Sequence, residues 1–259
     1  MRGSMIDTLI LALAPLFFLS VLLMIELGHR YRLASRLPND PNSNAVTGPA
    51  IGTVLALMGL VLAFSFSNAA GRLDATRKII LDETNAIETA WLRIDLAEPE
   101  AQPRLKELFR QYVDARIHAY GTAGLSEYRH QSEISAQLLR QIWVLAVEGT
   151  PVSRPQNRML FLPALNAMSD SASARTLSLS THLPPAIFVF LFGTVLLGSM
   201  LIGTMLACAG DRQWFYRIII AAVLSSIVYV IMDMEYPQLG GVNLLKDADA
   251  LLVNIRKVM

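Results

Sequence analysis

The sequence contains a single cysteine, Cys208, among its 259 residues. One thiol cannot form a disulfide framework or a thiolate metal cluster, and four histidines leave little material for a zinc site. Charged residues are also scarce, at 17% of the chain against about a quarter in soluble domains. The balance of 22 basic to 21 acidic residues excludes nucleic-acid binding through bulk positive charge.

Enzyme motifs are missing as well. The chain has no G-x-S-x-G elbow, no glycine-rich phosphate loop and no H-E-x-x-H zinc motif. We therefore expect a protein that is not an enzyme and has no cofactor. What the sequence does have in abundance is apolar residues, 53% of the chain, which is typical of an integral membrane protein.

Four apolar windows are long enough to cross a bilayer, whose core of about 30 Å needs roughly 20 helical residues. They lie at residues 6–27, within 43–71, within 176–210 and at 218–232. The last window is short, and Arg217 just before it is expected to snorkel to the interface. No Asp, Glu, Lys, Arg or His lies in the middle of a window, which disfavours a proton-coupled transporter.

The region between the second and third windows has helical periodicity and no strand signal. We predict an all-α integral membrane protein with four transmembrane helices and a helical-bundle insertion between the second and the third. The predicted segments are a vector leader at 1–4, transmembrane helices 1 and 2 at 5–71, the extramembrane bundle at 72–183, transmembrane helices 3 and 4 at 184–234, and an amphipathic C-terminal tail at 235–259.

The second window carries small residues on one helical face, namely Gly52, Ala56, Gly59 and Ala63. Small residues at this spacing let membrane helices approach closely. The face is suited either to packing against another helix of the same subunit or to packing around the symmetry axis of an oligomer. The sequence alone leaves both interpretations open.

In the predicted bundle, Glu83 interrupts an apolar stripe between Ile80 and Ile87. A carboxylate in such a place needs a cationic partner, because a buried unpaired charge is very costly. We predict a structural polar network that fixes the packing of the bundle, with an effector or ion site as the alternative. The expected members of the network are Glu83, Asn85, Thr89, Arg93, Asp95 and Arg116.

Two carboxylates, Asp233 and Glu235, follow the fourth window directly. Such a pair at the membrane edge could chelate a cation, but two carboxylates without further ligands are a weak calcium signal. We therefore predict no metal site and name Asp233 and Glu235 as the weak candidates.

Residues 82–96 read Asp-Glu-Thr-Asn-Ala-Ile-Glu-Thr-Ala-Trp-Leu-Arg-Ile-Asp-Leu. This segment resembles the signature of the bestrophin-like membrane proteins of bacteria and plants, a family long known only as a domain of unknown function. Residues 62–67, Leu-Ala-Phe-Ser-Phe-Ser, resemble the family's Gly-Phe-(Thr)-Phe-Ser motif with Ala63 in place of the glycine. The turn after the fourth window departs from the family's Leu-Asp-(Arg)-Pro and reads Met-Glu-Tyr-Pro.

The resemblance implies a function, because bestrophins are pentameric anion channels with a hydrophobic neck on the second span. Leu60, Phe64 and Asn68 fall four residues apart on one face of that span, with Arg72 one turn beyond. As pore-lining candidates, Leu60 and Phe64 would hinder ions by dewetting, Asn68 would offer a polar mouth, and Arg72 would favour anions there. The implied partners are the lipid bilayer of a bacterial inner membrane, further copies of the chain and small inorganic ions. Phe64 is equally suited to face lipid or to pack inside the protein.

A second function is also compatible with the sequence, namely a non-conducting membrane scaffold or sensor that acts through its bundle and a partner protein.

The sequence also leaves open which side of the membrane the bundle faces. Basic residues in the short loops place the bundle outside under the positive-inside rule. The resemblance places it in the cytoplasm, which we favour. The short-loop residues are Arg30, Arg32, Arg36, Arg212 and Arg217.

Overall fold

The computed structural model describes residues 2–35, 41–121, 125–180, 184–207, 214–235 and 246–259. Within these ranges all regular secondary structure is helical, as the sequence predicts. The helices are α1 Arg2–Ala34, α2 Pro41–Leu92, a short 3-10 helix Arg93–Leu96, α3 Gln102–Gly121, α4 Leu125–Glu148, α5 Pro155–Ser180, α6 Pro185–Leu206, α7 Trp214–Glu235 and α8 Lys246–Val258.

Four helical segments are long and apolar enough to cross a membrane, by length and composition. They are Ala14–Ala34, Gly48–Leu96, Pro185–Leu206 and Trp214–Glu235, and they overlap the four windows predicted from the sequence. The second, at 49 residues, is much longer than the roughly 20 residues that a bilayer core requires. The extra length belongs to its later part, which has an amphipathic seven-residue spacing. That part contributes Ile87 and Ile94 to the core of the bundle.

The chain divides into two compact units. One consists of Met5–Leu73 and His182–Val242, which we call the span unit. The other consists mainly of Asp74–Thr181 and Asn243–Met259, which we call the bundle unit. The helix α2 contributes its first part to the span unit and its remainder to the bundle unit.

Close backbone contacts between helices hold the span unit together. A side chain at Gly28 of α1 would collide with the backbone of Met200 in α6, and one at Gly203 of α6 would collide with the backbone of Ile25 in α1. Small residues of α6 therefore pack against another helix of the same chain, as membrane helices do when they lack a hydrophobic driving force. The apolar core of this unit includes residues of α1, α2, α6 and α7, namely Val21, Ile25, Met58, Leu62, Ala69, Leu191, Val195, Ala221, Leu224, Val228 and Ile231.

The bundle unit has its own apolar core, to which α2, α3, α4, α5 and α8 all contribute. Its fully buried side chains include Phe109, Ile142, Phe161, Leu165 and Met168, together with Leu252 of the tail helix α8. The helix α8 therefore forms part of the bundle rather than a free amphipathic segment.

Polar contacts reinforce the attachment of α8 to α3. Arg256 donates to both carboxylate oxygens of Asp114, at 2.7 and 2.9 Å, and Arg110 donates to the backbone oxygen of Met259 at 2.6 and 3.0 Å. The hydrogen bond from Arg256 to the carboxylate of Asp114 raises the pKa of the guanidinium. A bidentate Arg–carboxylate pair adds geometric specificity, so this contact fixes the register of α8.

Candidate functional site

One face of α2 is apolar and is not covered by the other residues that the structure describes. Leu60 and Phe64 are 51% and 62% exposed. The buried residues of the same stretch, Met58 and Leu62, each stand two positions away, on the opposite side of the helix. Asn68, one turn after Phe64, is also exposed. The structure thus leaves Leu60, Phe64 and Asn68, which we call the ladder, uncovered by the described part of the chain.

The small residues of α2 lie on exposed surface as well. At Gly52 and Gly59 an added side chain would meet no atom within 4 Å, and Ala56 and Ala63 are exposed. In the described part of the chain these four residues therefore do not pack against another helix, unlike Gly198 and Gly203 of α6. The first interpretation from the sequence was packing against another helix of the same subunit. The contacts in the described part of the chain do not account for this face in that way.

Arg72 forms an ion pair, which the sequence did not reveal. Its Nε lies 3.1 Å from Oε2 of Glu235, whose side chain is fully buried, while Arg72 is about one-third exposed at 37%. The positive charge of Arg72, which was predicted to lie at a pore mouth, is thus balanced by the carboxylate of Glu235. Glu235 is engaged by Arg72 rather than held free for a cation, and no group of three metal-ligating residues occurs among the residues that the structure describes.

A second ion pair in the span unit joins α7 to α1. Nη1 of Arg217 lies 2.5 Å from Oε2 of Glu26, and the other oxygen of Glu26 accepts from Arg30 at 2.7 Å. Arg217 is 9% exposed, so its side chain is held against the protein rather than extended away from it. The reason is the carboxylate of Glu26, which gives the guanidinium a partner inside the protein.

The bundle unit holds a buried charge cluster around Glu83. Its Oε1 accepts from Nε of Arg116 at 2.6 Å, and its Oε2 lies 3.1 Å from Nη1 of Arg175. All three residues are at most 2% exposed. Glu83 thus links α2 to α3 and α5 through charge-assisted hydrogen bonds, which are stronger than neutral ones.

The other predicted members of this network have separate environments. Arg93 donates to the backbone oxygen of Leu160 at 2.5 Å, and Asp95 forms an ion pair with Lys106 at 2.8 Å. Asn85 and Thr89 are exposed. Of the six residues, the structure therefore brings only Glu83 and Arg116 into one cluster, because the remaining four lie on other faces of the helix or beyond its end.

Arg175 is the member of the Glu83 cluster that was not predicted from the sequence. It lies 92 positions after Glu83, so no local spacing connects them. A signal was nevertheless present, because Phe161, Met168 and Arg175 recur every seven residues and are all fully buried. An arginine that continues an apolar stripe needs a buried carboxylate, and Glu83 is the carboxylate on such a stripe.

Comparison with known proteins agrees with this fold. The family model described as the Bestrophin-like domain matches residues 16–248, and the chain belongs to the bestrophin-like family. No curated protein matches the chain.

Among solved structures, the chain is similar to two substituted variants of a bacterial bestrophin homolog from Klebsiella pneumoniae. The first has 15% sequence identity and a TM-score of 0.64, with 92% of this chain and 99% of that chain covered. The second has 15% identity and a TM-score of 0.68, with 96% and 98% covered. At this identity the likeness establishes a bestrophin-like fold.

Proposed function

We propose that the protein is an oligomeric ion channel of the inner membrane, with α2 lining the pore. The observation that carries this proposal is the uncovered face of α2, on which the ladder lies beside the small residues. These small residues are Gly52, Ala56, Gly59 and Ala63. Membership of the bestrophin-like family supports it. In a homo-oligomer, with a pentamer as the arrangement implied by the resemblance, the small residues would lie between neighbouring copies of α2 and the ladder would face the axis.

Leu60 and Phe64 are the proposed neck. Rings of aliphatic and aromatic side chains form a hydrophobic constriction that gates ions by dewetting. Their exposure in the protomer supports this role, since a residue that lines a pore does not pack against its own chain. Asn68 would then form the polar end of the ladder.

Ion selectivity would come from charges at the end of the pore, because α2 carries no charged residue between Leu60 and Asn68. We propose anion selectivity, with the Arg72–Glu235 pair as its control element. While the pair is intact, the carboxylate offsets the field of the guanidinium. Removing the carboxylate is expected to expose the positive charge, which would favour anions.

The test is conduction by purified protein in planar bilayers, with its oligomeric state verified beforehand. Phe64→Ala is expected to raise the conductance, because it widens and wets the neck. Leu23→Ala is the matched control, since Leu23 is an equally exposed aliphatic residue of α1 at 59%. Its conductance should equal that of the wild type.

Selectivity is tested on the same bilayers with a salt gradient. Glu235→Gln should shift the reversal potential towards that of the anion. A verified oligomer that stays silent both as wild type and as Phe64→Ala would contradict the channel, and would favour the scaffold or sensor that acts through a partner protein.

A further inference from the structure

A cavity of about 860 Å³ lies among α3, α4 and α5 in the bundle unit. This size is within the range of about 300–1,000 Å³ that small-molecule sites occupy. Part of its wall is apolar and is formed by Leu139, Trp143, Leu165 and Leu177. Such a wall can accept the hydrocarbon body of a ligand.

Two hydroxyl groups in the wall have no hydrogen-bond partner in the part of the chain that the structure describes. Tyr112 is 1% exposed, and neither its phenol oxygen nor Oγ of Ser132 has a partner among the described residues. Buried polar groups in native proteins are nearly always paired, so an unpaired hydroxyl that lines a cavity is placed to donate to a molecule that occupies it. Burial raises the pKa of the Tyr112 phenol, which keeps the hydroxyl proton available for donation.

The charge of the wall favours an anion. Its charged residues are Arg116, Arg129, Arg140 and Glu133. Arg116 is paired with Glu83, which leaves two arginines against one glutamate. Arg129 and Arg140 are exposed, so they can attract a ligand at the rim and remain solvated.

From these features we infer that the cavity binds an organic carboxylate with an apolar body, such as an aromatic or medium-chain acid. The carboxylate would accept hydrogen bonds from Tyr112 and Ser132, and the apolar body would lie against Leu139 and Trp143. An inorganic phosphate fits less well, because it would leave the apolar wall uncovered. It would also carry a charge of about −2 into a cavity whose wall has one net positive charge. This inference does not depend on conduction, since it concerns binding alone.

The experiment is isothermal titration of the detergent-solubilised full-length protein with benzoate, hexanoate and inorganic phosphate in turn. Benzoate or hexanoate is expected to bind, with an affinity that falls as salt is added, and phosphate is not. Tyr112→Phe removes one oxygen and should weaken binding about tenfold, since hydrogen bonds to charged groups are the stronger kind. Ser132→Ala should weaken it in the same direction.

These variants should fold, because each removes a hydroxyl that has no hydrogen-bond partner among the residues that the structure describes. The matched control is Tyr216→Phe, the same change at an exposed tyrosine of α7, and it should leave the affinity unchanged. The proposal is overturned if neither acid binds, if phosphate binds as tightly as the acids, or if Tyr112→Phe and Ser132→Ala bind as tightly as the wild type. Equal weakening in Tyr216→Phe would also overturn it.

Discussion

At the scale of single residues, Glu83 decides how three helices of the bundle meet. It is fully buried, and its two oxygens face Arg116 and Arg175, which are also buried. Glu83→Gln keeps the shape of the side chain but leaves two guanidinium groups without their carboxylate. We expect the free energy of unfolding to fall by about 3–5 kcal/mol, as it does when one partner of a buried ion pair is removed.

Thermal and denaturant unfolding in detergent measure this effect, with Glu127→Gln as the control. Glu127 is exposed and accepts a hydrogen bond from Gln131 at 2.8 Å, so its substitution should cost less than about 1 kcal/mol. Adding Arg175→Met to Glu83→Gln should cost less than the sum of the two single changes, because the groups are coupled. Equal losses at Glu83 and Glu127 would contradict a buried cluster.

This cluster also shows which contacts of a single residue can be predicted from the sequence. The need of Glu83 for a cation follows from its place on an apolar stripe, which is local information. The identity of its second partner, Arg175, depends on the packing of α5 against α2. The two residues are 92 positions apart, so no local pattern in the sequence connects them. The pairing of Arg72 with Glu235 and of Arg217 with Glu26 was hidden for the same reason, since each pair joins distant segments.

At the scale of helices, the sequence predicts the all-helical structure and the approximate positions of the apolar helices, because hydrophobic periodicity and apolar runs are local features. The helical periodicity between the second and third windows, for example, corresponds to the later part of α2 and to α3, α4 and α5. Which glycines pack inside the protomer was not predictable. Gly59 and Gly203 have similar surroundings in sequence, but only Gly203 touches another helix.

This difference predicts opposite outcomes for the same substitution in two helices. Gly59→Leu has room in the protomer, so it should leave the fold intact and separate an oligomer that packs through α2. Gly203→Leu should disrupt the protomer itself, because the side chain would collide with the backbone of Ile25. Light scattering with size exclusion and thermal unfolding distinguish the two effects.

The control for both variants is Gly193→Leu in α6, where an added side chain also meets no atom within 4 Å. It should keep both the oligomer and the melting temperature. An unchanged oligomer in Gly59→Leu, or a wild type that is monomeric, would remove the role of α2 in assembly.

At the scale of the whole molecule, the proposed crossing of four helices puts the bundle and the end of α1 on opposite sides of the membrane. The side that the bundle faces depends on how the short-loop arginines are weighed. Arg217 is buried and paired with Glu26, so it has a structural role apart from any topogenic one. With that residue set aside, the positive-inside argument for an outward bundle rests on fewer charges, and we predict a cytoplasmic bundle.

Cysteine labelling tests both parts of this prediction. In a Cys208→Ser background, one variant carries Glu127→Cys on the exposed surface of α4 and another carries Ala34→Cys at the exposed end of α1. A membrane-impermeant maleimide applied to intact spheroplasts should label position 34 and leave position 127 unlabelled until the cells are lysed. The reverse pattern would place the bundle outside, as the loop arginines alone suggest. Labelling of both positions in intact cells would contradict the four crossings, because an odd number of membrane passages must separate the two sites.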